Sequence, residues 1–399
     1  MIGHRIASAA LALSLSACSV VDVEMPEQSV PLPDGFYFSP LRAGPVAART
    51  DDAWWTALND PMLTRLIEEG LAQNLDVQVS LARLEAARAA LSATGLAAQT
   101  QGGLGITARR SKPENFDWRT SSSVAFDPTF IVDVFGREEF RRERARAELR
   151  AASFDTAAVR LAFQLDLTRA YLDVRYYDAA LQIIRDSRDN RARFLNITEE
   201  QESIGAASER EIQRATTGLL AVRLELTDLE QARAQAALRL ATLVAQSPAE
   251  MLAILERSNR GQPRPTTDVN VGYPAQLLRN RPDILTAEAR LASAVAGLGV
   301  TRADLMPSLQ LSGTVRISPS SLVEFGPSIR VPLFDRPVRE AREEEAEARV
   351  EEADLLWQKS IRSAIEEVEL GLSRARQALR KRSLALRFLE SSREGLRLS

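Results

Sequence analysis

The feature that most constrains the fold is a long stretch, from Glu138 to Gln201, that contains neither proline nor glycine. An unbroken helix over this stretch would be about 95 Å long, at roughly 1.5 Å per residue. Apolar residues within it recur alternately four and three positions apart, as in the seam of a coiled coil. These residues are Phe163, Leu167, Ala170, Val174, Tyr177, Leu181 and Ile184.

The pattern breaks at residues 204–207 and then resumes. Gly205 offers the positive φ that a chain reversal needs, and Ser208, with Glu211 three positions later, forms a capping-box sequence. A second seam follows at Ile212, Ala215, Leu219, Val222, Leu226 and Leu229. We predict an antiparallel helical hairpin over about 137–246, although a coiled-coil spacer would show the same periodicity. The tip of this hairpin comprises Ile204, Gly205, Ala206, Ala207 and Ser208.

The two halves of the chain share short segments in the same order, which indicates an internal duplication. The shared segments are Asp76-Val77 and Asp283-Ile284; Ala82-Arg83-Leu84 and Ala289-Arg290-Leu291; Phe126-x-Pro128 and Phe325-x-Pro327; Val134-Phe135-Gly136-Arg137 and Leu333-Phe334-Asp335-Arg336. Chance similarity between helices rich in Ala, Arg and Leu would explain one match, but not easily the ordered series. We predict a first repeat over 54–260, a linker over 261–273 and a second repeat over 274–399.

Each half also contains two segments in which apolar and polar residues alternate, as in β-strands with two different faces. The predicted strands cover about 102–110 and 122–135 in the first half, and about 308–317 and 322–333 in the second, where a long helix follows from about 337. About ten residues suffice for a tilted strand to cross a bilayer, but a soluble, half-buried sheet shows the same alternation. The polar positions are candidates for facing a channel lumen, and their mixed charges predict little selectivity. They are Thr107, Arg109, Asp127, Gln310, Ser312, Thr314, Arg316, Glu324 and Arg330.

The N-terminus has the features of a secretory signal, with Arg5 followed by a short apolar run and small residues. Cys18 comes next and is the single cysteine of the chain, so it has no partner for an internal disulfide. Residues 15–18 resemble a bacterial lipoprotein box, in which the cysteine carries a covalent lipid and the new N-terminus is acylated; a coincidental cysteine near a cleavage site is the alternative. We expect a signal peptide over 1–17, a lipid on Cys18 and a lipid-anchored, extended segment over 18–53. In such lipoproteins an Asp after the cysteine favours the inner membrane, and Ser19 therefore favours the outer membrane.

The composition argues against several functional classes. The single histidine, His4, lies in the predicted signal peptide, so the mature chain would lack the histidine of Ser-His-Asp or Cys-His catalysis and of histidine-ligated zinc. No GxGxxG or P-loop sequence occurs, and a net charge of −3 with interspersed signs is not typical of nucleic-acid binding. We expect no enzymatic activity, no metal, no nucleic acid and no cofactor apart from the lipid. No stretch after Cys18 is apolar over 18 residues, so we expect no transmembrane helix, and any membrane span would be a β-barrel.

Three motifs resemble those of the TolC-like outer-membrane factors of tripartite (RND-type) export systems, in particular their lipid-anchored branch. The motifs are Trp54-Trp55 with Leu58, Asp60-Pro61 and Leu63; Leu277-Leu278 with Arg281-Pro282-Asp283-Ile284, Pro307-Ser308 and Gly313; and Asp133-Val134-Phe135-Gly136-Arg137. The resemblance extends over nearly all of the mature chain, and the second motif is quite specific.

The resemblance implies a mainly α fold with a small β part. Each chain would give four strands to the twelve-stranded barrel of a homotrimer, and the helical hairpins would form a tunnel through the periplasm. Independently, four strands are too few to close a membrane barrel. The family also implies that a periplasmic adaptor, a membrane fusion protein, contacts the hairpin tip and that an RND-type pump lies in the inner membrane. Family members carry a second hairpin, which would begin here at Pro337 and run past Ser399, so we expect the second repeat to be truncated relative to the family.

The sequence thus predicts an exit duct in the outer membrane that passively conducts substrates handed over by a pump and an adaptor. It barely separates this from an exit duct for polypeptides in type I-like secretion. A lipid-anchored periplasmic coiled-coil adaptor is another interpretation, but the duplicated strand pairs argue against it. A lipid-anchored hydrolase using carboxylates would need a compact domain with a concave site, and the helix content argues against that. The sequence does not indicate the substrate, the pump or the adaptor.

Overall fold

The computed structural model describes residues 21–38, 53–95, 99–112, 117–257, 261–264, 274–318 and 321–398. These residues belong to two compact units. The sheet unit draws on Met1–Pro40, Arg83–Asp155 and Tyr273–Ser399, and the hairpin unit draws on Leu41–Ala82 and Thr156–Gly272. Cys18, the predicted signal peptide and most of the predicted linker lie outside the described residues.

The described residues contain eight α-helices and a short 3₁₀ helix, Trp54–Leu58. The helices are α1 (Pro61–Gln73), α2 (Leu75–Ser92), α3 (Arg137–Ser203), α4 (Glu209–Leu243), α5 (Pro248–Arg257), α6 (Pro274–Asn280), α7 (Pro282–Asp304) and α8 (Arg336–Leu398). Helices α2 and α3 each contribute residues to both units. Helix α1 begins where the Asp60 side chain accepts hydrogen bonds from the backbone N–H groups of Met62 and Leu63, with Pro61 in the first turn.

Helices α3 and α4 form the predicted antiparallel hairpin. Helix α3 is unbroken over 67 residues, and six of its seven predicted seam residues are buried, while Tyr177 is half-buried. The six predicted seam residues of α4 are all buried or half-buried. Ion pairs between the helices join Arg233 to Asp178 at 2.5 Å and Arg239 to Asp166 at 3.3 Å. The sequence order of these pairs is that of antiparallel helices.

A chain of buried polar groups crosses the core of the hairpin unit. Tyr171 Oη donates a hydrogen bond to Asp60 Oδ2 at 2.7 Å, and Arg175 Nε donates to Tyr171 Oη at 3.1 Å. The Arg175 guanidinium also lies 3.6 Å from the carboxylate of Asp178. Burial, together with the hydrogen bond to Asp60, raises the pKa of Tyr171 to about 12. The network ties the start of α1 to α3 through groups that must all stay paired.

The sheet unit contains one antiparallel sheet of six strands. The strands are β1 (Thr100–Gln101), β2 (Leu104–Ser111), β3 (Arg119–Phe126), β4 (Thr129–Val132), β5 (Ser308–Ile317) and β6 (Leu322–Arg330). Strand β5 lies at the centre, with β3 and β4 end to end along one side of it and β6 along the other. Strand β2 pairs with β3, and β1 pairs with β4. The two halves of the sequence therefore interleave in one sheet.

The observed strands differ from the expected ones mainly in the first half. Strand β5 coincides with the predicted 308–317, and β6 ends at Arg330 rather than near residue 333. The single strand expected over 122–135 is interrupted at Asp127-Pro128, because proline has no N–H for the sheet ladder. Strand β3 also begins at Arg119, about three residues before the expected start near 122. Its Ser and Thr residues pair with β2 although they lack the apolar alternation that marks a strand.

An extended N-terminal segment, residues 21–38, packs on α7 and α8 within the sheet unit. Val30 is buried in a cluster with Ile284 and Leu291 of α7 and with Trp357 and Ile361 of α8. At one end of the segment, the backbone carbonyl of Asp22 accepts a hydrogen bond from Arg302 Nη1 at 3.2 Å. At the other end, the carboxylate of Glu369 accepts hydrogen bonds from the backbone N–H groups of Tyr37 and Phe38, at 2.6 and 3.0 Å. The segment is thus held at both ends and in the middle.

Helix α7 bears on the expectation that the chain has no transmembrane helix. Its most apolar 18-residue window has a mean hydropathy of 1.2, which is enough by length and composition for a membrane span. However, 44% of that window is buried inside the protein. Because α7 packs with α8 and Val30 in the cluster of the sheet unit, we interpret it as a core helix.

Candidate functional site: the two-faced sheet and the hairpin tip

The register of the sheet separates an apolar face from a polar face. Residues that are directly opposite on neighbouring strands point to the same face. One face carries aligned apolar rows: Ile106, Val124 and Ile317; Leu104, Phe126, Val315 and Val323; Val132, Leu309 and Ile329. Many of these side chains are exposed, with Ile106 at 77% and Phe325 at 73%. An apolar patch of this extent indicates a surface that contacts something other than water.

The opposite face collects all nine polar residues proposed as lumen-facing. Thr107 and Arg109 lie opposite Ser123 and Ser121. In the second half the alternation places the other strand residues on this same face: Gln310, Ser312, Thr314, Arg316, Glu324 and Arg330. Asp127, between β3 and β4, joins them because Thr314 Oγ1 donates a hydrogen bond to its Oδ1 at 2.8 Å.

The polar face also contains residues that the sequence interpretation missed. Ser121, Ser123, Ile131 and Ser328 lie opposite members of the polar set, and Gln101 lies opposite Thr129, which pairs with Ser312. Continuing the alternation back from Val124 would have found two of these serines. The signal is weak there because the intervening positions are polar as well, so the two faces look alike in sequence.

Gly313 allows two strands to come together on the apolar face. It lies opposite Phe325, and a Cβ added at this position would be 2.9 Å from the Phe325 ring. The Gly313 N–H donates a hydrogen bond to the carbonyl of Pro128 at 2.8 Å, which bridges the interruption between β3 and β4. The missing side chain thus makes room for an aromatic ring on the exposed apolar surface.

The junction between β4 and α3 fixes the sheet to the helices of its unit. The carboxylate of Asp133 accepts hydrogen bonds from the N–H groups of Glu138 and Glu139, at 3.0 and 3.1 Å, and so caps α3. Gly136 has φ +77°, and Arg137 pairs with Asp304 at the end of α7 at 2.5 Å. The motif from residue 133 to 137 therefore has a structural role at this turn.

The hairpin tip is a compact, exposed reversal. Gly205 has φ +72°, as predicted, and its N–H donates to Glu202 O while the Ala206 N–H donates to Gln201 O, the two bonds of a Schellman motif. The Glu211 carboxylate accepts hydrogen bonds from the backbone N–H and the hydroxyl of Ser208, at 2.6 and 2.8 Å. These bonds hold the pKa of Glu211 below its ordinary value.

The side chains of the tip are open to a partner. Ile204 is 80% exposed, Ala206 is exposed and Ala207 is half-buried. A large exposed aliphatic residue beside two alanines offers an apolar surface that a second helix can approach closely. The described part of the chain contains no cluster of three or more His, Cys, Asp or Glu residues arranged to hold a metal ion.

Comparisons with known proteins agree with this architecture. The profile of the outer membrane efflux protein family matches residues 66–246 and 273–399. Nodulation protein T of Rhizobium leguminosarum biovar viciae is 32% identical over 417 residues, which cover 100% of this chain and 84% of that protein. The pyoverdine export outer membrane protein OpmQ of Pseudomonas aeruginosa is 28% identical over 353 residues, covering 84% of this chain and 74% of OpmQ.

A solved structure extends the similarity to three dimensions. The outer-membrane channel OprN superposes with a TM-score of 0.82 at 28% identity, over 93% of this chain and 86% of OprN. The chain is therefore mainly α with a small antiparallel sheet, its helices correspond to the periplasmic helical tunnel of such channels, and it belongs to the outer membrane efflux protein family.

Proposed function

We propose that the chain is one third of a homotrimeric exit duct in the outer membrane, with its sheet inserted in the bilayer and its helices in the periplasm. The observation that carries this proposal is the two-faced sheet, whose apolar face has large exposed side chains on β2, on β6 and at the end of β5. Among the described residues, β2 and β6 each pair with a single neighbour, so both sides of the sheet have unpaired strand edges. Unpaired edges in hydrocarbon are costly, and closure with further copies removes them.

Three copies give a barrel of twelve strands. A single chain offers four strand positions, counting β1 with β2 as one and β3 with β4 as one, and bacterial outer-membrane barrels have at least about eight strands. The polar face then lines the lumen. It carries Arg109, Arg316 and Arg330 together with Asp127 and Glu324, so the duct conducts passively with weak charge selectivity and performs no chemistry of its own.

The hairpin tip is the proposed docking site for a periplasmic adaptor. The adaptor bridges the duct to an inner-membrane pump of the RND type, which hands over the substrate. Exposed Ile204 and the neighbouring Ala206 and Ala207 support this role, because they allow close approach of a partner helix. Relatives whose names include efflux pump, such as the toluene efflux pump outer membrane protein TtgF of Pseudomonas putida at 28% identity, also support it.

The proposed lipid on Cys18 fits the position of the N-terminal segment. The backbone carbonyl of Asp22 accepts a hydrogen bond from Arg302, and Arg302 lies six residues before the first residue of β5. Four residues of chain reach about 14 Å at most, so a lipid four residues before Asp22 would be within reach of the end of the sheet from which the helices extend. Intact-mass analysis of the membrane-purified protein should give an acylated chain that starts at residue 18. A free thiol, or cleavage elsewhere, would contradict the lipid assignment.

The membrane assignment is tested by two substitutions at neighbouring positions of β5. Leu311→Arg places a cation on the apolar face and should cost about 2–4 kcal/mol at a mid-membrane site, so assembly of the trimer fails. Ser312→Arg places the same cation on the polar face and serves as the matched control. Equal loss of heat-resistant trimer in both variants, or a greater loss for Ser312→Arg, would sink the proposal.

The docking assignment is tested at Ala207. Ala207→Trp should leave the trimer intact but abolish export and crosslinking to the adaptor, because the ring blocks the approach of a helix. Glu209→Gln, two positions further on at the start of α4, is a control that changes charge without adding bulk. Export that persists with Trp at position 207 would contradict the docking role of the tip and leave it with only the structural role of a turn.

A further inference from the structure

The hairpin of β2 and β3 ends in a cluster of cations that the hairpin of β5 and β6 lacks. Arg109, Arg110, Lys112 and Arg119 lie around its turn, whereas residues 315–322, the matching positions of the other hairpin, carry the single charge of Arg316. The sequence from 109 to 119 also contains Glu114 and Asp117 and keeps a net positive charge. This difference between the two repeats is not required for closing a barrel, since both hairpins supply equivalent strands.

The alternation of β2 divides these cations between the two faces. Arg109 lies on the polar face with Thr107, and Arg110 lies on the apolar face with Ile106 and Leu104. The Arg110 guanidinium is 5.3 Å from the centre of the Trp118 ring, which is itself 59% exposed. Among the described residues, no carboxylate lies within ion-pair distance of Arg110 or Lys112. The outward side of this hairpin therefore presents Arg110 beside an exposed indole, with Lys112 two positions further along the chain.

Arg110 lies beyond the outer edge of the apolar band. The last apolar row that reaches β5 contains Ile106, Val124 and Ile317. Arg110 lies four residues beyond Ile106, which is about 13 Å further along the strand at roughly 3.3 Å per residue. The helices leave the sheet at the opposite end, so in the proposed orientation this end faces the cell exterior. Trp beside a cation at such a boundary is typical of the zone where acyl chains give way to headgroups.

We propose that Arg110 and Lys112, with Trp118, bind phosphate groups of the phosphorylated glycolipid in the outer leaflet of the membrane. The inference rests on the proposed membrane insertion and adds a lipid-binding site to it. Phosphate is a suitable ligand because guanidinium binds it in a bidentate manner and ammonium binds it as a point charge. The indole occupies the glycolipid boundary beside the guanidinium. The trimer then carries three such sites, one on each β2–β3 hairpin, and all three point away from the lumen.

The test uses purified trimer of the full chain, incubated with bisphosphorylated lipid A or with the same lipid after removal of its phosphates. Native mass spectrometry counts the bound glycolipids, and the dissociation temperature of the trimer gives a second reading. The double variant Arg110→Gln/Lys112→Gln should bind the phosphorylated lipid about thirtyfold more weakly, since each cation near an anionic surface contributes roughly fivefold. The dephosphorylated lipid should bind weakly to the wild type and to the double variant alike.

The matched control is Arg109→Gln/Arg119→Gln, which removes two cations of the same hairpin on its polar face. This control should keep the affinity of the wild type. Equal losses in both double variants, or equal binding of the lipid with and without phosphates, would overturn the proposal. Arg110→Lys should retain binding, which separates charge from packing on Trp118.

If the Gln double variant does not assemble, the single variant Lys112→Gln decides the question, with about fivefold weaker binding expected. A chain that never forms a membrane trimer contradicts the proposed function as well. A trimer that forms but does not distinguish phosphorylated lipid contradicts the lipid site alone.

Discussion

Helices α3 and α8 begin alike and end differently. Each starts shortly after a strand, β4 or β6, and they run for 67 and 63 residues. Much of the seam of α3 is buried in a cluster with residues of α1 and α4. In α8 the last buried residue is Leu372; Leu379 and Leu386 continue its seven-residue spacing but are 60% and 55% exposed. The comparison teaches that regular apolar spacing reports a capacity to pack, whereas burial depends on a second element being beside the helix.

The largest effect is expected at Leu167 in the seam of α3. Leu167 is fully buried, so Leu167→Ala should lower the free energy of unfolding by about 2–5 kcal/mol through lost burial and a new cavity. The midpoint of urea unfolding, followed by far-UV circular dichroism in detergent, measures this loss. Leu165→Ala, two positions away and 50% exposed, is the control. Similar shifts for both variants would show that the seam is not what stabilises the hairpin.

The second effect concerns the buried part of α8. Ile361 is 1% exposed and belongs to a smaller cluster than Leu167 does. Ile361→Ala should therefore cost about 2–3 kcal/mol, near the lower end of the range for such truncations. Leu356→Ala, 53% exposed on the same helix, should cost far less in the same urea titration. A loss at Ile361 that exceeds the loss at Leu167 would reverse the ranking of the two helices.

A smaller effect is expected from Tyr171 on α3. Tyr171→Phe leaves the buried Asp60 and Arg175 without a shared partner, at a cost of about 1–3 kcal/mol. The pKa of Tyr171 is raised from its ordinary value to about 12, so the folded state prefers the neutral phenol. The stabilisation that comes from this raised pKa is fully present below the ordinary pKa of about 10 and is lost as pH rises through about 12.

Urea midpoints recorded between about pH 9 and about pH 12 check this prediction. The wild type should lose stability towards the upper end, while Tyr171→Phe should lose less because it has no phenol to ionise. Parallel pH profiles for the two proteins would show that ionisation of the Tyr171 phenol does not cause the loss of stability.

The smallest effect is expected at Leu386 in the exposed part of α8. Leu386→Ala should change the free energy of unfolding by less than about 0.5 kcal/mol, as surface substitutions usually do. The urea midpoint of the purified chain measures this. A loss comparable to that at Leu167 would mean that the end of α8 gains a packing partner in the assembled protein, and the contrast with α3 would then disappear.

The sequence predicted the elements whose formation depends mainly on neighbouring residues. The hairpin of α3 and α4 was predictable because proline and glycine are absent from α3 and because Gly205 and Ser208 mark its reversal. Strand β5 was predictable to the residue, since its alternation is uninterrupted. The start of β3 at Arg119 was missed because residues 120–123 are all serine or threonine, so no apolar alternation marks the strand and only the partner strand reveals the pairing.

Long-range contacts account for the other features of the structure that the sequence did not predict. The polar chain from Asp60 through Tyr171 to Arg175 joins residues more than 100 positions apart, and no spacing rule links them. The structure adds most to the assignment of side chains to the two faces of the sheet. The register places Asp127 of the first repeat beside Thr314 of the second. The lumen, the lipid and the adaptor stay predictions that the proposed experiments address.

The N-terminal segment has a consequence for the order of folding. Tyr37 is held by Glu369, which lies 332 positions further along the chain. In synthesis and export from the N-terminus, residues 21–38 emerge among the first, yet the surface that holds them does not exist until α8 has been made. Closing so long a loop is entropically unfavourable and slow compared with forming the local contacts of a helical hairpin. The segment that leaves the ribosome early is therefore among the last to reach its place, and it stays without these partners during the whole passage of the chain.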